Sequence, residues 1–468
     1  MGKTKLSSAR GAALAVLDEV RRRDGFARDI LDAHSALARL DPRDASLVRR
    51  LVLGVTASQG CLDELLDRFL VKPRKVAPRV RIALRIAAFE ILYLDTPNEV
   101  AVSQGVELAR SAQSASAGFA NAVLRKVAAC ACAYLAAADA SQEDGPLAAK
   151  ARQAGLPLWL AREIQSSLGV DKAFDLFAAE LDPAPVAAHV RASELDRALP
   201  VAGSSPLLLP GLRAPIDIRV VEARYELERA SAVVADCHAQ LIATAATRAG
   251  SCLEVGAGRG TKTYIMMSQA SRAGFTHGHV ALDLYEGKGR QNLDRLKRAG
   301  IEGVCAVMGD ACALDEALAP LDAGAGERRL FNTVFVDAPC SGTGTMRRHP
   351  EIPWRLTPAD IQRGLPELQL AMLKQASTRV APGGELFYAT CSVLRQENKA
   401  MVEAFLSSDT GGCFTLVPVS EAAIFHLKSF ESAGAYMARY ESADGLFQSV
   451  PAPGGFDGHF CARFVRVG

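Results

Sequence analysis

Apolar residues recur at helical spacing from Ala9 to about Val127, as in Ala13, Val16, Leu17 and Val20, then Leu47, Leu51 and Val55, then Leu62, Leu65, Leu66 and Phe69. No strand-like alternation interrupts them. Asp41-Pro42, Lys72-Pro73 and Thr96-Pro97 break the stretch into short helices, so residues 1–135 are predicted to fold as an all-α bundle. Residues 131–155, rich in Ala, Ser, Asp and Gly, read as a linker or a loose last helix. Residues 156–230 predict a small α+β connector, with a helix near Leu158–Leu168 opened by Pro157, a strand at Val186–Val190 and a turn at Pro206-Leu207-Leu208-Leu209-Pro210. From Ser251 the rhythm changes. Apolar runs at Cys252–Val255, Val280–Leu284, Val304–Met308, Thr333–Val336 and Glu385–Tyr388 alternate with helical segments or loops. This predicts a doubly wound, Rossmann-like α/β domain over residues 231–468, with ligands beyond the carboxyl ends of the strands.

At 468 residues the chain exceeds what one hydrophobic core usually holds, which agrees with a multidomain reading. Its 49% hydrophobic and 23% charged residues predict a soluble globular protein. There is no apolar run of membrane-spanning length, and Met1-Gly2-Lys3-Thr4-Lys5 leads into an amphipathic pattern rather than a signal-peptide core. A cytoplasmic location and no membrane partner are expected. Eleven cysteines scattered through the chain predict reduced thiols. Cys130 and Cys132 form a C-x-C with no matching His or Cys pair nearby, so they are expected as buried small apolar side chains and no metal is expected. The net charge of +2 conceals an asymmetry, because residues 1–130 carry +7 and the rest −5. Arg21-Arg22-Arg23 and Lys72-Pro73-Arg74-Lys75 are therefore either solvated faces or nucleic-acid contacts.

The candidate chemistry sits at the predicted strand ends. Gly256-Ala257-Gly258-Arg259-Gly260 follows a strand and opens a helix, which lets the backbone approach a ligand without interference from Cβ atoms. Such a turn serves dinucleotides as well as S-adenosylmethionine. Asp283 ends the next strand and can accept two ribose hydroxyls, Asp310 can take an adenine amino group, and Asp337 ends a fourth strand. Cys340 lies in Asp337-Ala338-Pro339-Cys340-Ser341-Gly342 and Cys391 in Ala389-Thr390-Cys391-Ser392. Carbon 5 of cytosine is a poor nucleophile until a thiolate adds at carbon 6. A second acid–base group beside that sulfur would then help the adduct collapse. Two cysteines at the ends of neighbouring strands fit this chemistry.

Two resemblances sharpen the reading. The opening Ala9-Arg10-Gly11-Ala12-Ala13-Leu14, the segment from Arg81 to Leu92, Asn98-Glu99-Val100-Ala101-Val102-Ser103 and Phe119-Ala120-Asn121-Ala122-Val123-Leu124-Arg125-Lys126 resemble, in order, the RNA-binding NusB family. In that family Phe119-Ala120-Asn121 is largely architectural, so Asn121 reads as a helix-packing residue. From about Asp236 onward the chain resembles the RsmB/Sun family of RNA cytosine-5 methyltransferases. That resemblance is carried by Asp337-Ala338-Pro339-Cys340-Ser341-Gly342-Thr343-Gly344 with Arg347-Arg348-His349-Pro350-Glu351-Ile352, by Phe387-Tyr388-Ala389-Thr390-Cys391-Ser392-Val393 with Glu397-Asn398, and by Asp457-Gly458-His459-Phe460-Cys461-Ala462-Arg463-Phe464.

The resemblance implies S-adenosylmethionine as cofactor and small-subunit (16S) ribosomal RNA as partner. It implies Cys391 as the nucleophile, Cys340 as the residue that assists adduct breakdown, Asp337 facing the base edge and the donor amine, and Lys262 supporting the donor carboxylate or the substrate. DNA cytosine methyltransferases use the Pro-Cys cysteine instead, so the reverse assignment stays open. Arg347, Arg348 and His349 read as phosphate or base contacts, or as capping and loop residues. One departure stands out. Where the family has Asp-x-Cys-Ala-Ala-Pro-Gly-Gly-Lys-Thr, this chain has Glu254-Val255-Gly256-Ala257-Gly258-Arg259-Gly260-Thr261-Lys262-Thr263. Arg259 and Thr261 replace a proline and a glycine. Donor binding through residues 256–262, Asp283, Asp310 and Asp337 is expected to survive. The altered loop is also the one feature favouring a second reading, a catalytically inactive RNA-binding ribosome-assembly factor.

Overall fold

The computed structural model describes residues 6–35, 37, 40–139, 141, 145–194, 199–200 and 209–467. The chain divides into two compact units, residues 1–183 with 346–358, and residues 184–345 with 359–468.

In the first unit α1 (Ser8–Arg23), α2 (Ala27–Ala33), α3 (Pro42–Asp67), α4 (Pro78–Tyr93), α5 (Asn98–Ala112) and α6 (Ala117–Leu135) form the helical bundle that the periodicity predicts. Asp41 opens α3 by accepting the Asp44 N–H at 2.9 Å, with Pro42 in the first helical position. The stripe residues Ala13, Val16, Leu51, Val55, Leu62 and Leu65 are all buried. Gly54 lets the Phe89 ring lie against α3, since a Cβ there would stand 2.0 Å from it. Arg10 neutralises the buried Glu90 through two hydrogen bonds, Nη2 to Oε1 at 2.5 Å and Nε to Oε2 at 2.9 Å.

Several elements differ from expectation. α7 (Gly145–Ala154) lies in the stretch read as a linker or a loose last helix, and α8 (Leu158–Leu168), at the predicted helix, and α9 (Val170–Ala179) lie in the predicted connector, yet all three pack with the bundle. The Tyr93 hydroxyl donates to the Arg152 carbonyl at 2.7 Å, and the Arg50 guanidinium donates to the Leu181 carbonyl. The boundary therefore falls at Pro183. The cause is amphipathicity: α8 and α9 bury Leu160, Ile164, Leu176 and Phe177, and a short connector has no core to receive them. The segment Met346–Pro358 also belongs to this unit. The Trp354 indole N–H donates to the Ala57 carbonyl at 2.5 Å, over the space that Gly60 leaves, and the Ala27 N–H donates to Glu351 Oε1 at 3.0 Å. Arg347 is consequently buried, whereas His349 is exposed. Cys130 is half-buried and Cys132 exposed, not buried as expected. Ala120 is buried and Asn121 half-buried, but Phe119 is 41% exposed.

The second unit contains two sheets. In the smaller, β1 (Ala188–Val190) lies between β2 (Leu212–Arg213) and β3 (Ala232–Val234), antiparallel to both. β1 falls within the predicted strand at Val186–Val190, while residues 206–208 of the predicted turn lie outside the described residues. The larger sheet has β4 (Gly250–Val255), β5 (His277–Asp283), β6 (Val304–Met308), β7 (Phe331–Asp337), β8 (Val380–Thr390), β9 (Phe414–Val417), β10 (Phe447–Gln448) and β11 (Phe460–Arg466). Its order is β10-β11-β8-β7-β4-β5-β6, with β9 also paired to β11. β4 to β8 are parallel and β11 runs against β8. The buried runs Cys252–Val255 and Thr333–Val336 explain why β4 and β7 sit centrally. From β4 the chain winds out through β5 and β6, then returns to build β7 and β8 on the other side. The switch point between β4 and β7 opens a crevice at their carboxyl ends. Among the described residues no helix is long and apolar enough to cross a membrane.

Candidate active site

After β4 the chain turns through Gly256, Ala257, Gly258, Arg259 and Gly260 into the helix Thr261–Ala273. Gly256 and Gly260 have φ of 82° and 78°. A Cβ on Gly256 would stand 2.4 Å from the Asp337 carbonyl oxygen, and one on Gly260 1.8 Å from Asn292 Oδ1. Both conformation and crowding therefore demand glycine. Thr261, at the altered position, accepts a hydrogen bond from Arg295 Nη1 at 3.0 Å, and Arg259 is exposed. With both substitutions present, Gly256 and Gly260 keep their positive φ.

Asp283 closes the turn from the next strand. Its Oδ2 accepts the Gly258 N–H and its Oδ1 the Tyr285 N–H, both at 2.9 Å. Each oxygen retains acceptor capacity for a ribose hydroxyl. Leu284, Tyr285 and Met308, each more than half exposed at the ends of β5 and β6, offer apolar surface for an adenine. These three escaped the sequence reading because nothing in a strand-end residue type reveals its exposure. Asp310 is exposed, and its Oδ1 accepts the Cys312 N–H at 2.8 Å, so it caps a turn at the end of β6.

The two cysteines meet. β7 and β8 are parallel neighbours with Asp337 opposite Ala389, which places the following loops side by side. Cys340 Sγ lies 3.4 Å from Cys391 Sγ. The Gly344 N–H donates to the Cys391 carbonyl at 2.8 Å, and the Gly458 N–H to the Gly344 carbonyl at 2.8 Å. Beside the sulfurs, Lys262 Nζ donates to Asp337 Oδ2 at 2.6 Å.

Beneath them lies a residue to which the sequence reading gave no role. Glu397 is fully buried and ties the two cysteine loops together. Its Oε1 accepts the Ser341 N–H at 2.8 Å and Gln369 Nε2 at 2.9 Å, while its Oε2 accepts the hydroxyls of Ser392, at 2.5 Å, and of Ser341. Gln369 also donates to the Pro339 carbonyl at 2.9 Å. Residue type alone does not reveal such a role, because Glu397 sits in a turn after β8 where an acidic residue is ordinarily solvated.

The sulfurs are electrostatically unlike. The hydrogen bond from Cys340 holds the Cys391 thiol below its ordinary range against burial and the Asp337 charge, with help from Lys262 and the Thr345 hydroxyl. Cys340 is pushed well up, first by that same hydrogen bond, then by burial and the charge on Cys391. Burial alone would lower the Lys262 ammonium, but Asp337 beside it raises it, so the cation persists. These directions are those of a pair in which Cys340 donates the shared hydrogen bond and Cys391 is the sulfur that ionises more readily. Because the reactive form is deprotonated, any rate limited by thiolate attack rises with pH through the Cys391 titration. Lys262→Met removes a cation and frees the Asp337 charge, both of which raise Cys391. The expected result is an upward shift of the acid limb of the pH–rate profile, measured under single-turnover conditions.

Comparison with known families decides the class. The profile described as 16S rRNA methyltransferase RsmB/F matches residues 242–465, and the NusB family profile matches residues 7–129. Residues 242–465 are an RsmB/F methyltransferase domain. The chain thus joins a NusB domain to an S-adenosylmethionine-dependent RsmB/F ribosomal RNA methyltransferase domain. The ribosomal RNA small subunit methyltransferase B of Thermus thermophilus is 28% identical over 99% of each chain. The Bacillus subtilis (strain 168) protein named "Probable ribosomal RNA small subunit methyltransferase B" is 26% identical over 99% of this chain and all of its own. The crystal structure of PH0851 shares the fold, with a TM-score of 0.72 at 19% identity over 99% of this chain and 100% of that one. In this RsmB/F domain the glycine turn and Asp283 could hold the methyl donor, and the two sulfurs lie 3.4 Å apart beside the Lys262–Asp337 pair.

Proposed function

We propose that the protein methylates carbon 5 of a cytosine in small-subunit ribosomal RNA through a covalent bond between Cys391 and carbon 6. The observation that carries this reading is the pair of cysteine sulfurs 3.4 Å apart, with the proton affinity of Cys391 shifted down and that of Cys340 up. Chemically, the Cys391 thiolate adds to carbon 6, and the displaced π electrons make carbon 5 nucleophilic. S-adenosylmethionine, held by the glycine turn and Asp283, would supply carbon 5 with an electrophilic methyl group, the sulfonium becoming a neutral thioether. Alkylation removes the negative charge from Cys391, and with it the principal reason that Cys340 holds its proton. Cys340 then releases its proton to solvent and, as a thiolate, accepts the proton of carbon 5. The resulting electron pair reforms the ring double bond and expels Cys391 as thiolate. Lys262 and Asp337 sit beside the sulfur, where they can orient the base and offset the charge that develops on it.

The target cytosine must leave its stack to reach the sulfur, which costs least in a loop or single strand. The NusB domain offers a place to hold such RNA. Lys72, Arg74, Lys75 and Arg79 are exposed, beside the exposed Val71. Reversing charge at Lys72 and Lys75 is expected to weaken RNA binding at all sequences. The salt dependence should flatten by about one log unit of slope for each phosphate that is no longer neutralised, as read by titration at several salt concentrations.

The central test is transfer of labelled methyl to unmodified small-subunit ribosomal RNA, with the product mapped by mass. Label on a single cytosine carbon 5 is the expected outcome. Label on another atom, or none on free RNA and immature subunits alike, would overturn the reading. Gly256 and Gly260, both at positive φ in the altered loop, support the enzyme reading over an inactive assembly factor.

A further inference from the structure

A second cluster of nucleophilic side chains lies on β4 and β5. Cys252 is opposite His279, with Glu254 two residues beyond Cys252 and His277 two residues before His279, so all four occupy one face. The Cys252 sulfur and one nitrogen of each histidine lie within 4.8 Å of one another. His277 Nε2 is 3.2 Å from His279 Nδ1. The outer nitrogens are both engaged. His277 Nδ1 lies 2.8 Å from the Arg248 carbonyl oxygen, which can only accept, and His279 Nε2 lies 2.9 Å from Glu254 Oε2. Each ring therefore carries its proton on the outer nitrogen, and in the neutral rings two lone pairs face each other across 3.2 Å beside a thiol. A shared proton or a metal ion held between the two nitrogens relieves that repulsion.

We propose that Cys252, His277 and His279 bind a zinc(II) ion, with water in the fourth position on the side of the half-buried His277. Three features support zinc. Metal-bound histidines characteristically donate their other N–H to a carboxylate or a backbone carbonyl, and here each histidine does one of these. The 3.2 Å nitrogen separation matches the edge of about 3.3 Å expected of a tetrahedron with zinc–nitrogen bonds of about 2.0–2.1 Å. Glu254 is fully buried and its Oε1 has no hydrogen-bond partner. Zinc with the Cys252 thiolate and the Glu254 carboxylate is neutral overall, which removes the cost of a buried charge. On binding, the thiol proton is released to solvent as the sulfur–zinc bond forms. The sequence did not reveal the site because the H-x-H pair of His277 and His279 meets its sulfur, Cys252, only through the pairing of two strands.

The test uses the full chain, stripped with a chelator and titrated with zinc against a chromophoric competitor. One tight equivalent per chain is expected. It should survive the double substitution Cys340→Ser, Cys391→Ser and weaken at least about tenfold in His277→Gln, a loss on the scale of an orienting hydrogen bond or more. The cobalt(II) form should show tetrahedral visible bands and a thiolate charge-transfer band that Cys252→Ser removes. Since Cys252 is fully buried, the half-buried His277 carries the test if the Cys252 variant does not fold. No tight zinc in the wild-type chain would overturn the proposal. So would zinc that persists in His277→Gln and disappears with Cys340 and Cys391, since the paired sulfurs would then be the binding site.

Discussion

Cys340→Ala protein incubated with S-adenosylmethionine and its RNA is expected to accumulate a covalent protein–RNA complex that survives denaturation, while methylated free product falls by two orders of magnitude or more. General acid–base groups contribute about 10²–10⁴-fold to such steps. The reason lies in which half-reaction each sulfur serves. Attack needs only the Cys391 thiolate, and Lys262 and the Thr345 hydroxyl still favour it when Cys340 is gone. Collapse needs a base for the hydrogen on carbon 5, and alanine provides none. Cys391→Ala, by contrast, should give neither complex nor product, because no other described thiol is paired with Cys340. A gel shift resistant to denaturant, together with a count of labelled methyl groups, reads both outcomes. If Cys391→Ala traps RNA and Cys340→Ala does not, the roles are reversed and the protein resembles the DNA enzymes in its choice of nucleophile.

Glu397→Ala is expected to destabilise the domain by about 2–4 kcal/mol and to reduce turnover far beyond what unfolding explains, since truncating one partner of a buried charged network leaves the rest unpaired. Four donors converge on the Glu397 carboxyl, two from Ser341 and one each from Ser392 and Gln369. Ser341 follows Cys340 and Ser392 follows Cys391, so loss of the carboxyl releases both sulfur-bearing loops at once. Glu397→Gln should fall between wild type and Glu397→Ala. The serine hydroxyls can rotate to accept from the amide, whereas the Ser341 N–H still finds a carbonyl oxygen. Denaturant unfolding followed by methyl transfer at a temperature where both variants remain folded separates the two effects. Equal losses of stability in the two variants would show that the hydrogen bonds do not organise the loops.

The order of elements was legible from the chain alone. Helical periodicity located the bundle, and the apolar runs located β4 to β8, because in each case the side chains that must be buried recur with the period of the element. Cys340 and Cys391 were identifiable because each sits in a distinctive loop at a strand end, and parallel strands that are sheet neighbours bring such loops together. The unit boundary was not legible. Whether α7, α8 and α9 join the bundle depends on a complementary apolar surface far away in sequence, and the recruitment of residues 346–358 by Ala57 and Ala27 depends on the same kind of remote partner. The proton affinities of the two sulfurs, the role of Glu397 and the gathering of Cys252, His277 and His279 were also decided only in three dimensions. A sequence specifies which groups exist and their local periodicity; distance, burial and the charges nearby, which set hydrogen bonds and ionisation, arise when segments remote along the chain are packed against one another.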